Sequence, residues 1–332
     1  MAKRSRTTLS RKQPASLSTK ALANSATGRH GLVICNYGQT LAVEDEAGKR
    51  HRCTPRKKIG ALVCGDKVIW QATTADEGVV VALQPRQSLL VRPDSHGEVK
   101  PIAANVSHLL VVTTLRLHDT AELVTETDDL IDTDLIDRYL VAAELCRLQA
   151  VIVINKTDLL SRAALDQAMR ILEVYRTIGY LVLFTSAEQR QGIDALIAIL
   201  KDHTSVFSGP SGVGKSSLVK ALLPDREIRV GEVSESTGAG RHTTTLATHY
   251  HLPHGGSLID SPGVRDFGLW HVDPAQIAQG FVEFQHYAQS CRFANCSHLA
   301  EPGCAMQLAV EKGNISALRF DSYRRIVASL RS

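Results

Sequence analysis

The chain has 332 residues, 44% of them apolar, and a formal net charge of +4. That length suits two or three folded domains with ordinary cores, no stretch is long and apolar enough for a helix to span a membrane, and a cytoplasmic location is expected. With so modest an overall charge, any attraction toward a polyanion must come from local concentrations of bases.

Residues 1–30 hold Lys3, Arg4, Arg6, Arg11, Lys12, Lys20 and Arg29 with no acid, and lack the apolar segment of a secretory signal. A polar, Ser/Thr-rich, basic segment buries too little surface to fold alone, so residues 1–28 are expected to form a disordered tail that meets a polyanion. A merely solubilising tail is the alternative.

From 29 to 102 the texture changes to short alternating runs, GLVICNYGQTLAVE, HRCTP, ALVCGDKVIWQAT and EGVVVALQPR, separated by Gly, Asp and Pro turns. Some five strands in this length favour an OB-like barrel that binds RNA over a sandwich. Arg50, Arg52, Arg56, Lys57 and Lys58 are expected in a loop that meets phosphates. Tyr37 and Trp70 are the chief aromatics for stacking on bases, too few for single-strand reading.

The acidic stretch from Glu122 to Asp137 leads into DLIDRYLVAAELCR, whose apolar spacing is helical. The apolar run Ala150 to Ile154 then reads as a strand delivering Asn155, Lys156, Thr157 and Asp158. The Asp158 carboxylate can accept from both N1–H and the 2-amino group of guanine, the Lys156 stem can cover the base, and Asn155 can tie this loop to a phosphate loop. By itself the four-residue string is as readily turn chemistry. Thr185-Ser186-Ala187 follows YLVLF, where a backbone amide at Ser186 or Ala187 can meet the base carbonyl.

The eight residues Gly209, Pro210, Ser211, Gly212, Val213, Gly214, Lys215 and Ser216, followed by Ser217, match the GxxxxGKS phosphate loop between a strand-like TSVFS and a helix-like SLVKALL. Its glycines let backbone N–H groups curl around phosphates, Lys215 reaches the β- and γ-phosphates, and Ser216 ligates Mg²⁺. Next come Gly238-Ala239-Gly240-Arg241-His242-Thr243-Thr244-Thr245 and Asp260-Ser261-Pro262-Gly263, with a hairpin between them turning at Pro253-His254-Gly255-Gly256. These read as the two switches. Thr244 is expected to close on Mg²⁺, Asp260 to hold it through a water, and the Gly263 amide to sense the γ-phosphate. Val264 stands where many small GTPases carry a water-orienting glutamine, so intrinsic hydrolysis is expected to be slow. His242 is the nearest candidate to orient that water, against the plainer reading of a surface histidine.

Of seven cysteines, Cys35, Cys53, Cys64 and Cys146 read as small buried apolar residues. Cys291, Cys296, His298 and Cys304 instead offer three thiolates and one imidazole within fourteen residues. That set suits a closed, structural Zn²⁺ site, and a disulfide is the alternative. In the final segment Ile315, Leu318, Tyr323, Ile326, Val327 and Leu330 recur at helical intervals, with Arg319, Arg324, Arg325 and Arg331 expected on the outer face.

The guanine-reading string precedes the phosphate loop, the reverse of the usual order. The sequence therefore points to a multidomain α/β protein: a barrel over 29–102, a circularly permuted P-loop GTPase domain over 103–270, and a zinc-binding helical domain over 271–332. The barrel, NKTD, SA, GPSGVGKSS, GRHTTT, DSPG and C-x4-C-x-H-x5-C occur in the order of the circularly permuted small-ribosomal-subunit-dependent GTPases, the RsgA/YjeQ family, which the chain closely resembles over nearly its whole length. The resemblance implies GTP hydrolysis stimulated by the small ribosomal subunit, a role late in that subunit's maturation, contacts with its rRNA, Mg²⁺ with the nucleotide and one structural zinc. A monomer without membrane contact is expected. A nucleotide-gated RNA-binding regulator with incidental hydrolysis remains the second reading.

Overall fold

The computed structural model describes residues 28–93, 99–115, 130–224, 246–261 and 274–331. The tail expected over 1–28 falls outside these save for Gly28. So do His242, Thr244, Gly263 and Val264.

Five strands close into a barrel: β1 (Arg29–Asn36), β2 (Leu41–Asp45), β3 (Arg50–Pro55), β4 (Lys67–Ala72) and β5 (Glu77–Leu83). β1 pairs antiparallel with both β2 and β4, β2 with β3, and β5 lies parallel to β3 and antiparallel to β4, so no edge is left within this ring. Alternation of side chains sends Val33, Leu41, Val43, Cys53, Val68, Trp70 and Val80 into one core. Trp70 is fully buried there, so it is the barrel's filling and no platform for bases, contrary to the sequence expectation. A Cβ at Gly31 would stand 2.5 Å from Val43 Cγ1, and one at Gly78 would stand 2.5 Å from the Trp70 ring, which accounts for glycine at both positions. Arg50 and Arg52 lie on β3 with exposed side chains, flanking buried His51, and are not loop residues; Arg56, Lys57 and Lys58 do follow the strand as an exposed turn.

A separate two-stranded hairpin, β6 (Leu89–Pro93) with β7 (Val99–Ala104), follows the barrel. It leads to a sheet whose order is β10 (Leu181–Phe184), β9 (Gln149–Ile154), β8 (His108–Thr113), β11 (Thr204–Ser208), β13 (Ser257–Asp260) and β12 (Thr248–His251). All neighbours are parallel except β12, which runs antiparallel to β13. Successive residues face opposite sides. Leu109, Val111, Ile152 and Ile154 join one core with helices α1 (Thr133–Leu145) and α2 (Arg162–Ile178), while Leu110, Val112, Val151 and Val153 join a second with α3 (Ile193–Leu200) and α4 (Lys215–Leu222). Helix starts follow capping chemistry: Asp132 accepts from Leu135 N at 2.9 Å, and Ser161 from Ala164 N at 3.2 Å.

The C-terminal part comprises α5 (Pro274–Gly280), α6 (Gln285–Ala288), α7 (Ala305–Glu311) and α8 (Ala317–Arg331). Its core of Ile277, Phe281, Phe284, Met306, Phe320, Tyr323, Ile326 and Val327 also takes in Val141 of α1, so it is packed onto that helix rather than hung from the chain alone. Arg319 corrects the expected basic outer face. Its guanidinium is fully buried, donates to Asp137 of α1, binds Glu283 at 2.8 Å, and stands 4.4 Å from the centre of the Phe281 ring and 5.4 Å from that of Tyr175 in α2. Burial opposes that charge, yet Asp137 and Glu283 outweigh it and raise the Arg319 pKa.

Candidate nucleotide-binding site and metal centre

The expected nucleotide residues gather at the carboxyl ends of the parallel strands, where open α/β sheets place ligands. Gly209 to Ser217 follow β11 and enter α4. Three backbone positions require glycine. Gly209, Gly212 and Gly214 have φ of 139°, 83° and 93°. A Cβ on Gly209 would lie 2.0 Å from Val112 O and one on Gly214 would lie 2.3 Å from Asn155 Nδ2, whereas Gly212 faces open space. Lys215 Nζ donates to Gly209 O at 2.7 Å and to Pro210 O, so its ammonium lies along the loop's own backbone.

Asn155 follows β9 and is buried. Its Nδ2 donates to Val213 O at 2.9 Å, and its Oδ1 accepts from Thr185 Oγ1 at 3.1 Å, so one side chain is held between the phosphate loop and the loop after β10. Thr185 belongs to the expected tripeptide, but no role of its own was expected for it. Its signal was position alone, immediately before the expected Ser186-Ala187 pair. Lys156 takes the left-handed conformation at φ 62°, turning the chain into the short 3₁₀ turn Thr157–Leu159. Thr157 N donates to Thr185 O at 3.1 Å. Ser186 is buried, with N donating to Gln191 O at 3.0 Å and Oγ accepting from Gln189 N at 3.0 Å. Ala187 packs against the α3–α4 side of the sheet, and Asp158 is half-buried in the 3₁₀ turn.

On the other side of the phosphate loop, Phe207, Lys215, Ser216, Val219 and Asp260 line one small cleft. The hydroxyl and the carboxylate expected at Mg²⁺ are therefore brought together, as hard oxygen donors of the kind that ion takes. Asp260 arrives on the hairpin read from sequence: Thr248 to His251 pairs with Ser257 to Asp260, and Leu252 N donates to Gly256 O at 3.0 Å across the turn. A Cβ on Gly256 would meet Leu200 O at 2.0 Å, so this turn packs tightly on the end of α3.

The ligand atoms of Cys291, Cys296, His298 and Cys304 all lie within 4.8 Å of one another. Cys291 Sγ and Cys304 Sγ stand 3.4 and 3.6 Å from His298 Nδ1. In a tetrahedral site with metal–sulfur bonds of about 2.3 Å and a metal–nitrogen bond of about 2.0 Å, neighbouring sulfur and nitrogen donors stand about 3.5 Å apart. The residues fit a four-coordinate metal with soft donors, and all seven cysteines are free. A further residue shapes this loop. Glu301 accepts from the backbone N–H of Ser297 at 2.8 Å, Leu299 at 3.1 Å and Ala300 at 3.2 Å, and also from Ser297 Oγ. The Ser297 hydroxyl first, and then the Ser297 and Ala300 amides, hold its carboxyl down at about 2. Only its place just past the last histidine hinted at it.

Comparison with known proteins agrees with this geometry. The sequence model of the RsgA GTPase family matches residues 83–270. A protein of Chromohalobacter salexigens named small ribosomal subunit biogenesis GTPase RsgA is 51% identical, over 91% of this chain and 86% of its own length. One of the same name from Dickeya dadantii is 44% identical, over 91% and 85%. Among solved structures, YjeQ from Thermotoga maritima superposes with a TM-score of 0.73 at 30% identity, covering 92% of this chain and 99% of that one. YloQ, described as a circularly permuted GTPase, superposes with a TM-score of 0.71 at 29% identity, covering 93% and 97%.

Proposed function

The chain belongs to the RsgA GTPase family, and on that premise we propose that it binds the small ribosomal subunit and hydrolyses GTP to GDP and phosphate late in that subunit's maturation. The relatives' names support the subunit as partner. The observation that carries the enzymatic reading is the Asn155 bridge to Val213, which makes one site of a guanine loop and a phosphate loop that occur in reversed order.

In this reading Asp158 reads the guanine edge, Lys156 covers the base, and the Ala187 backbone amide meets its carbonyl, since the Ser186 N–H is taken by Gln191 O. The amides of Gly209 to Ser217 hold the phosphates and Lys215 offsets their charge. Ser216, Asp260 and Thr244 would hold Mg²⁺. When bound, that ion supplies charge stabilisation to the transferring phosphoryl group. Gly263 senses the γ-phosphate and His242 orients water in place of the side chain that Val264 lacks. The Cys291, Cys296, His298 and Cys304 cluster holds one structural zinc.

The exposed bases Arg50, Arg52, Arg56, Lys57 and Lys58, together with the basic tail 1–28, meet rRNA, which places the protein in the cytoplasm with the subunit. Because the metal-bearing module follows Gly263 within thirty residues of chain, γ-phosphate contacts order the two switches beside it, an order–disorder change that hydrolysis reverses. Turnover of GTP with and without purified small subunits tests this function against the alternative of a nucleotide-gated RNA binder.

A further inference from the structure

The barrel is fused to the edge of the nucleotide-fold sheet through β12, and the register of that junction is informative. Thr248 pairs with Asp260 of β13 on one side and with Cys35 of β1 on the other, its hydroxyl 4.0 Å from Cys35 Sγ. One residue therefore stands between the barrel and the carboxylate assigned to Mg²⁺. The barrel reaches β13 a second time through Gly65, at φ +90°, where a Cβ would lie 2.1 Å from Ala104 O and 3.1 Å from Ile259 Cδ1. Ile259 is the residue before Asp260.

The outer end of the junction carries a side-chain clamp. His251 Nε2 of β12 lies 2.5 Å from Glu44 Oε1 of β2. The second oxygen of Glu44 lies 3.9 Å from Arg50 Nε, across the paired positions of β2 and β3. Arg50 is an exposed base on the face assigned to rRNA, its side chain 70% accessible, while that of Glu44 is 11% accessible. Beside the clamp a cleft of about 380 Å³, lined by Leu32, Lys67, His203 and His249 among others, parts the barrel from the sheet. The two bodies thus meet along a narrow seam in which one half-buried carboxylate is shared between a surface base and the strand leading to Asp260.

Resting on the functional reading above, we propose that this seam carries the subunit's stimulation of GTP hydrolysis, with Glu44 and His251 as positioning residues that act on Asp260 through β12. An rRNA phosphate at Arg50 draws the guanidinium off Glu44 and leaves that carboxylate to His251 alone. The clamp tightens, β12 is held in one register against β13, and Asp260 is fixed at the strand end. A strand pair is suited to this, because its register admits discrete settings and not a continuum.

The test uses the full-length, metal-loaded protein with Glu44→Gln, His251→Gln and the double variant. Two quantities are read: turnover with and without small subunits, and the ratio of subunit affinities measured with a non-hydrolysable GTP analogue and with GDP. The expected result is unchanged intrinsic turnover and GTP affinity, a loss of stimulation of about fivefold or more, and an affinity ratio that shrinks toward one. The double variant should lose no more than either single one, since both remove the same contact. A merely structural role would instead lower intrinsic turnover along with the stimulated rate, and that outcome overturns the proposal, as does full stimulation in every variant. If the wild type itself shows neither stimulation nor a nucleotide-dependent affinity, the functional reading falls and the proposal with it. If the wild type shows both and the variants match it, only the role of the seam falls.

Discussion

Asn155 Nδ2 donates to Val213 O at 2.9 Å, joining two loops whose contacting residues are 58 positions apart in the chain. The oxygen of the same amide accepts from Thr185. An aspartate there would offer Val213 no donor, and an alanine would leave three loops without their common peg. Such a group holds a site in shape before any ligand arrives, which reduces the ordering cost of binding.

Base selection tests the loop that this peg positions. Asp158→Asn replaces two acceptors with one acceptor and one donor, opposite two donors on guanine. A buried mismatch of that kind costs about 1–3 kcal/mol, or about 5- to 150-fold in affinity. Competition titrations with GTP, ATP and XTP should show weaker GTP binding and a relative gain for XTP. Equal GTP affinity in both proteins would remove Asp158 from the base site.

The metal centre predicts about one zinc per chain, retained through dialysis and lost to a strong chelator. Cys296→Ser should release it and loosen the Cys291 to Cys304 loop, while GTP binding persists because the cluster lies outside the two cores that flank the nucleotide-fold sheet. Mass spectrometry of the intact protein measures the metal. A Cys291–Cys304 disulfide in freshly isolated protein would contradict the assignment.

Arg319 is expected to be the costliest single charge to delete. Arg319→Met would leave the fully buried Asp137 without its cationic partner, a loss of about 3–5 kcal/mol in unfolding free energy. Adding Asp137→Asn should recover part of that loss, because the stranded charge goes with it. Denaturant titration of both variants decides this, and a neutral Arg319→Met would show that the buried pair does not anchor the C-terminal helices.

His249 sets a pH dependence. Burial and, secondarily, the neighbouring His251 lower its pKa to about 4 from the usual 6.5. The unfolded chain takes up this proton near pH 6.5 and the folded chain only near pH 4, so stability falls as pH drops through that interval. The loss from this residue is about 2 kcal/mol between pH 7 and pH 5. His249→Gln should flatten the slope in thermal or denaturant unfolding, and an unchanged slope would assign it to other groups.

What could be read from sequence was whatever local chemistry makes recognisable. Gly209 to Ser216 and Asn155 to Asp158 are contiguous strings whose spacing follows from wrapping a phosphate and facing a base, and the four metal ligands lie within one loop. The hairpin carrying Asp260 was likewise legible from its turn. Trp70 was misread because one aromatic on an alternating strand looks the same whether its face turns inward or outward. Arg319 was misplaced for a related reason: its partners Asp137 and Glu283 are distant in sequence, and an arginine without a visible partner is assigned to solvent. The pairing of Thr248 with Cys35 was invisible, since a strand carries no mark of which edge it will meet.

The most direct measurement is GTP turnover by the full-length protein, alone and across a titration of purified small ribosomal subunits. The account predicts slow hydrolysis by the protein alone, consistent with Val264 in place of a water-orienting side chain, and a saturable rise in kcat as subunits are added. His242→Ala should keep its association with the subunit while losing stimulated rate. Turnover that stays at its intrinsic value at every subunit concentration would contradict the account.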